Sequence, residues 1–170
     1  MPGKPAMAVF FLLICSLMIL FYPSSVCLAT AFDADDIIGV WEVQEGDGHI
    51  EIFRCGEKYC GSIVWLKEPV YPLDDKGRMP GKLLVDRENP KKELRNRPLV
   101  GLQMMAEYTF RGNNLWDEGS IYNTENGKTY RSRILLKSPD RLELRGYIGI
   151  PLLGGSTVWK RVGKQLPLFR

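Results

Sequence analysis

The sequence predicts an all-β domain: an antiparallel up-and-down barrel of about eight strands, with one long loop carrying a short helix. Three observations lead there. Short runs rich in β-branched and aromatic residues recur along the chain, and no long helical period competes with them. Most runs are separated by "EGDG", "GEK", "RGNN", "NTENG" or "SPD", the Gly, Asn, Asp and Pro chemistries that tight turns require. Within the runs apolar and polar residues alternate, so one face is oily and the other wet. A sandwich fits the same pattern, but closing the barrel removes the exposed edges an open sheet must protect.

The first segment is set apart from the domain. Lys4 precedes an apolar run from Ala6 to Tyr22, Pro23-Ser24-Ser25 breaks it, and "ATA" ends at Ala31. That order describes a signal peptide over residues 1–31 with an A-x-A-like cleavage site. An uncleaved anchor is the competing reading, although the run is a little short of the roughly 20 residues a spanning helix needs. Cleavage leaves a single domain over 32–170 and predicts no stable membrane insertion afterwards. It removes one of the 23 Lys and Arg, leaving 22 against 20 Asp and Glu. A balance that even does not argue for nucleic acid or an anionic membrane as the main partner.

In the domain, strands are expected near Gly39–Val43, Gly48–Arg54, Tyr59–Leu66, Val100–Phe110, Leu115–Tyr122, Lys128–Lys137, Arg141–Tyr147 and Thr157–Val162. The alternation is clearest in "KTYRSRILL". There Tyr130, Ser132, Ile134 and Leu136 face one way, and Thr129, Arg131 and Arg133 the other. Lys67 to Leu99 breaks the rhythm with five prolines and many charges. A short helix fits "ENPKKELRN", with Asn89 as N-cap and Pro90 at the first helical position. Long ordered loops are often functional, and a strap across one barrel end is the equal alternative.

Cys55 and Cys60 bracket the turn "RCGEKYCG", and in an exported chain they are expected to form a disulfide across the hairpin. Two cysteines and one histidine, His49, fall short of a zinc site, so no metal is expected, and no cofactor. Asp86, Asn89, Arg95 and Arg97 form the densest polar set outside the strands. A carboxylate, an amide and a guanidinium suit acid/base or anion-binding work. They equally suit pinning the loop, and no nucleophile–base pair or phosphate loop accompanies them.

"DDIIGVWEV" places Gly39-Val40-Trp41 at the start of the first strand. This resembles the G-x-W signature of lipocalin-like proteins, in which an Arg from the last strand packs on the Trp. Arg161 in "TVWKR" is the candidate here, and both residues would be structural. Taken in order, "GVWEV", "CGSIVWL", "DRENP", "RPLVG", "WDEGSIYNTENGKTY", "LRGYIGIPLLGG" and "VWKR" make the chain resemble the DUF2147 family of small exported bacterial proteins, from about Gly39 to Arg161. The resemblance implies a lipocalin-like barrel, a periplasmic or secreted location, and binding of a small, lipophilic or aromatic molecule. It supplies no catalytic residues, and none is assigned. Gly155 after "LLG" and Asn123-Thr124 before "GKTY" depart from the family's usual residues.

The ligand would enter beside "YIGIPLLGG", an apolar segment cut by glycines and proline. That segment is expected to form a rim or lid with Tyr147, Leu152 and Leu153, over an interior lined by residues among Trp65, Trp116, Tyr122, Tyr130 and Trp159, with Asp86, Asn89 or Arg97 as polar groups. Two other readings stand beside it. The loop folds in and plugs the barrel, or it is an exposed patch over 147–155 that docks a partner in the cell envelope. An enzyme built on the 86–97 loop ranks after these. The ligand's identity and the oligomeric state are not legible.

Overall fold

A sheet closes on itself when its last strand pairs with its first, and β8 does so here: the strand order β1-β2-β3-β4-β5-β6-β7-β8 forms a closed barrel in which β1 also pairs β8. The computed structural model describes residues 32–76 and 79–163; the expected signal peptide lies outside the described residues. The strands are β1 (Gly39–Glu42), β2 (Gly48–Cys55), β3 (Lys58–Leu66), β4 (Gln103–Phe110), β5 (Leu115–Asn123), β6 (Lys128–Ser138), β7 (Arg141–Tyr147) and β8 (Gly154–Gly163). All eight were expected. β4 starts three residues later than the sequence implied and β8 three earlier. The all-β, up-and-down class is as predicted. No helix among the described residues is long and apolar enough to cross a membrane.

Antiparallel order fixes which connections share an end. The β1–β2, β3–β4, β5–β6 and β7–β8 connections lie at one end, which we call the mouth. The β2–β3, β4–β5 and β6–β7 turns lie at the other, the floor, beside a 3₁₀ turn (Ala34–Ile37) that leads into β1. The long loop and the greasy loop are therefore both at the mouth.

The floor is sealed. Trp41 and Trp116 are fully buried, and their indole N–H groups donate to Ile37 O (2.9 Å) and Ala34 O (3.1 Å). The Arg161 guanidinium lies 4.1 Å from the Trp41 ring centroid and donates to Pro139 O, Ile38 O and Asp36 O at 2.6–2.7 Å. One side chain thus ties the last strand, the β6–β7 turn and the 3₁₀ turn together. Outside it, the Asp35 carboxylate accepts from the Tyr59 hydroxyl (2.7 Å) and from Arg54, which hold its pKa below the usual carboxylate range.

The disulfide Cys55–Cys60 is present, with Cα atoms 5.9 Å apart. The register makes it diagonal: Cys55 sits opposite Lys58, and Cys60 opposite Phe53. A facing pair is not needed at that spacing.

The long loop is a strap. It carries two isolated bridges, Val70 with Leu83 and Val85 with Pro98, and a single 3₁₀ turn at Lys92–Leu94. The expected N-cap is corrected by two residues: Lys91 occupies it, and the Asn89 side chain instead accepts from the Lys91 N–H (2.9 Å), closing an Asx turn around Pro90.

Candidate functional site

Three β-bulges decide what points into the barrel. Alternation assigns one face per odd step, and an extra residue on one strand resets it. In β4, Glu107 has φ 68° and lets Met105 and Tyr108, three apart, both turn inward; in β5, Glu118 (φ 63°) does the same for Trp116 and Gly119. In β3 the shift falls after Ile63, whose partner is Ile50, because the next pair is Trp65 with His49.

The β3 bulge corrects the placement of Trp65, expected among the inward residues. It lies on the outer face, 42 % exposed, with its ring 4.3 Å from His49. Trp116 and Trp159 are inside, but in the packed core with Trp41, Tyr59 and Tyr108. The Trp159 indole donates to Thr157 Oγ1 at 2.9 Å.

Tyr108 spans the lumen at mid-height. It reaches from β4 to β6, where its hydroxyl bonds Ser132, itself fully buried. Burial, above all, raises its pKa. The ring fits because the wall facing it has no side chain. A Cβ at Gly119 would lie 2.3 Å from Tyr108 Cδ1, and one at Gly61 would lie 2.8 Å from Met105 Sδ. Below this layer the interior is filled.

Above it the wall opens. Gly146 of β7 pairs with Gly155 of β8, on the inward side with Leu144 and Thr157. A Cβ at Gly155 would meet nothing within 4 Å, and one at Gly146 only Ile121 (3.9 Å) and Tyr130 (4.0 Å). Two strands therefore lack side chains where the lumen meets the mouth. We call the space beside Gly155 the vestibule: Ile121 and Tyr130 are the neighbours of the bare Gly146 position, Thr157 follows Gly155 on the inward side, and buried Tyr147 is close enough to Tyr108 to help raise its pKa. Of the aromatic residues expected to line the interior, Tyr130 is the one the structure brings here; Asn126 donates to its hydroxyl (3.0 Å).

The strap's polar residues converge beside the mouth. Asp86 is fully buried and Asn89 nearly so. Asp86 Oδ1 accepts from the Tyr122 hydroxyl (2.6 Å); Oδ2 accepts from Asn89 Nδ2 (2.8 Å) and from Arg97 Nε and Nη2 (2.9 and 2.8 Å). Arg95 Nε donates to Asn89 O (2.7 Å). Burial, then the bond to Asp86, raises the Tyr122 pKa. Both carboxylate oxygens are thus engaged by the strap and by β5. Gly127 completes the seam: with φ +67°, its Cβ would fall 2.0 Å from Glu88 O.

The greasy loop lies at the rim. Leu152 and Leu153 are 81 % and 69 % exposed, with Ile148 and Ile150 beside them, whereas Tyr147 is buried yet stands outside the main core cluster. Arg145 holds the loop by donating to Pro151 O (2.6 Å), Leu152 O (3.3 Å) and Ser156 Oγ (2.9 Å). Sequence reasoning missed Tyr108, Met105, Gly146, Gly155 and Arg145. The apolar-x-x-apolar spacings "MAEY" and "WDEG" inside β runs were the available signal for the bulges.

The profile of a family described as "Uncharacterized protein conserved in bacteria (DUF2147)" matches residues 39–161. A solved structure, titled "Protein HP1028 from the human pathogen Helicobacter pylori belongs to the lipocalin family", is 24 % identical, with a TM-score of 0.61 over 75 % of this chain and 83 % of that one. A search of curated proteins found no match. The likeness to the solved structure shows a shared fold.

Proposed function

The chain belongs to the DUF2147 family, and from that premise we propose that it is an exported carrier holding one small lipophilic or aromatic molecule in the vestibule under the barrel mouth. The observation that carries this is the contrast between glycines. Those at 61 and 119 are spaces already taken by Met105 and Tyr108, whereas a Cβ at 146 would make only ordinary contacts with Ile121 and Tyr130 and one at 155 would meet open space. An eight-stranded barrel has room for packed side chains or for one small ligand, and this chain divides its height between the two. Ile121 and the Tyr130 ring supply apolar contact, and the hydroxyls of Tyr130 and Thr157 supply a few polar groups, the usual balance of such pockets. The lipocalin-like fold is compatible with the reading.

Export is supported by the disulfide and by the N-terminal order of charge, apolar run and small residues. The strap cluster supports holding rather than reacting, since both Asp86 oxygens are engaged.

The test uses an environment-sensitive naphthylamine dye and a fluorescent fatty acid as probes, added from outside, because the buried tryptophans lie in the core rather than at the vestibule. Wild type should enhance the fluorescence of at least one probe. Gly155→Leu should remove the enhancement by about tenfold or more in affinity while leaving the thermal midpoint nearly unchanged. A Gly155→Leu protein that binds both probes like wild type removes the vestibule from consideration.

A further inference from the structure

The outer wall below the greasy loop holds an unusual charge arrangement. On adjacent strands, Arg133 of β6 and Arg145 of β7 are direct cross-strand partners, and Arg131 stands two residues nearer the mouth, opposite Tyr147. Like charges placed directly opposite each other cost stability. With Leu115, Leu135 and Glu143, the two paired arginines border a shallow groove of about 240 Å³.

The acidic groups facing this row have partners of their own. Glu143 is bonded by Lys137 (2.9 Å), which holds its pKa low, and Glu118 on β5 is paired with Arg111. Asp117 Oδ1 accepts the Glu118 N–H (2.8 Å) at the bulge. Arg145 spends its donors on uncharged oxygens, two carbonyls and a hydroxyl. Among the described residues no carboxylate pairs with Arg131, Arg133 or Arg145 within 4.0 Å, although Arg145 is near enough to Glu143 to help Lys137 hold its pKa low. Whole-chain charge is nearly balanced, which averages this row away.

The geometry joins the row to the loop. Arg145 lies three residues before Ile148, about 10 Å along the strand and, with barrel strands tilted by about 35–45°, about 7–8 Å of height. The interfacial layer of a bilayer is about 5–8 Å deep on each side of the hydrocarbon. A loop whose leucines enter the acyl boundary thus leaves the arginines at headgroup level. Apolar tip and basic flank together are the pattern of a protein that rests on a lipid surface without spanning it. Arg145 strengthens that fit, because it holds the carbonyls of Pro151 and Leu152 against the outer wall while the Leu152 and Leu153 side chains stay exposed.

We propose that Ile148–Leu153 and the row Arg131, Arg133 and Arg145 form a docking surface for an anionic phospholipid bilayer, set beside the barrel mouth. It stands apart from the vestibule reading and does not depend on it.

The experiment is co-sedimentation with phosphatidylglycerol/phosphatidylethanolamine vesicles, against phosphatidylcholine vesicles. It uses the chain from Phe32 onward, which contains every described strand and the whole described core. The expected result is binding to the anionic vesicles that weakens with salt. Leu152→Asp with Leu153→Asp should weaken it by about a hundredfold or more. Arg131→Ala and Arg133→Ala should each weaken it about fivefold. All these side chains are solvent-facing or partly so, and an unchanged thermal midpoint in each variant checks the fold. Failure to sediment with anionic vesicles overturns the proposal. So does binding that the double leucine variant leaves intact. Concentration-dependent dimerisation lost in that variant, without vesicle binding, also overturns it and assigns the loop to a second copy of the chain. Gly155→Leu should sediment like wild type, which separates this surface from the vestibule.

Discussion

Replacing Gly119 and Gly155 by alanine, one at a time, tests the division of the barrel into a filled lower part and an open upper one. The same methyl group is added in both. At Gly119 it would lie 2.3, 2.4 and 2.5 Å from Tyr108 Cδ1, Cε1 and Cγ, about 1 Å inside the usual carbon–carbon separation. The ring cannot swing away cheaply, because its hydroxyl is bonded to buried Ser132 and its other neighbours are the core. Overpacking of this kind costs about 1–3 kcal/mol where neighbours yield. Here they do not, so about 3 kcal/mol or more is expected, a fall in midpoint on the order of 10 °C. At Gly155 the methyl meets nothing within 4 Å. Alanine there restricts the unfolded chain, and stability should hold or rise by about 0.4–1 kcal/mol. Urea unfolding of both variants measures the difference, and a Gly119→Ala, Tyr108→Leu double mutant closes the cycle. A coupling of about 2 kcal/mol is expected, because the smaller side chain removes the clash. Equal stability for Gly119→Ala and Gly155→Ala would refute the reasoning, as would a coupling near zero.

Two further predictions concern buried polar groups. Asp86→Ala leaves Arg97, Asn89 and the Tyr122 hydroxyl facing an empty place, and should cost about 3 kcal/mol; because the cluster joins strap to β5, limited proteolysis should then cut the strap before the barrel unfolds. At high pH the tyrosines set the limit. Tyr59 is pushed up to about 12 by burial, then by its bond to Asp35, and burial raises Tyr108 and Tyr122 in the same direction. A group whose folded pKa is raised stabilises fully below its unfolded value, about 10, and loses that contribution as pH climbs through the folded one. Stability should therefore fall between about pH 10 and 12, with tyrosinate absorbance of the native protein lagging behind that of the denatured chain; coincident titration curves would contradict the burial of these rings.

How much of this was legible in the sequence depends on which periodicity carried it. "KTYRSRILL" and "RLELR" keep strict alternation, and their inward residues Ser132, Ile134, Leu136, Leu142 and Leu144 are buried as period two requires. "CGSIVWL", "MMAEYTF" and "LWDEGSIY" each contain a bulge; in the last two Glu takes the positive φ, so spacing alone marks the insertion and no turn-type residue does. So Trp65 was expected inside and lies outside. The strap was legible as a strap or a site, but not as which, because its answer rests on contacts across the fold: Tyr122 is 36 residues from Asp86. Gly155 was read as one of the breaks in a greasy segment, and Gly119 was not singled out. Their difference in function is set by what stands opposite them, Tyr108 for one and empty space for another, and one strand's sequence does not hold that information.

On the carrier reading, where the room lies constrains how it would be filled. The floor is held by Arg161, whose guanidinium bonds three carbonyls from two different segments while covering Trp41. Mid-height is held by Tyr108. A molecule bound above that layer has no route through the floor and must pass the mouth, between the strap and the greasy loop. On the strap side, buried Asp86 and the Gly127 seam fix the backbone to β5 and the β5–β6 turn. On the loop side, the hold is three hydrogen bonds from Arg145 to uncharged oxygens, with no carboxylate in direct contact with its guanidinium among the described residues. The two lips are thus unequal. If one yields during exchange, the physical choice is the loop, since releasing it breaks bonds that water can replace, while releasing the strap uncovers a buried carboxylate. An anionic headgroup drawing Arg145 outward would loosen the weaker lip at the moment an oily molecule is at hand. The vestibule and the docking surface stand on separate observations, and Arg145 is the residue through which contact at one would be felt at the other.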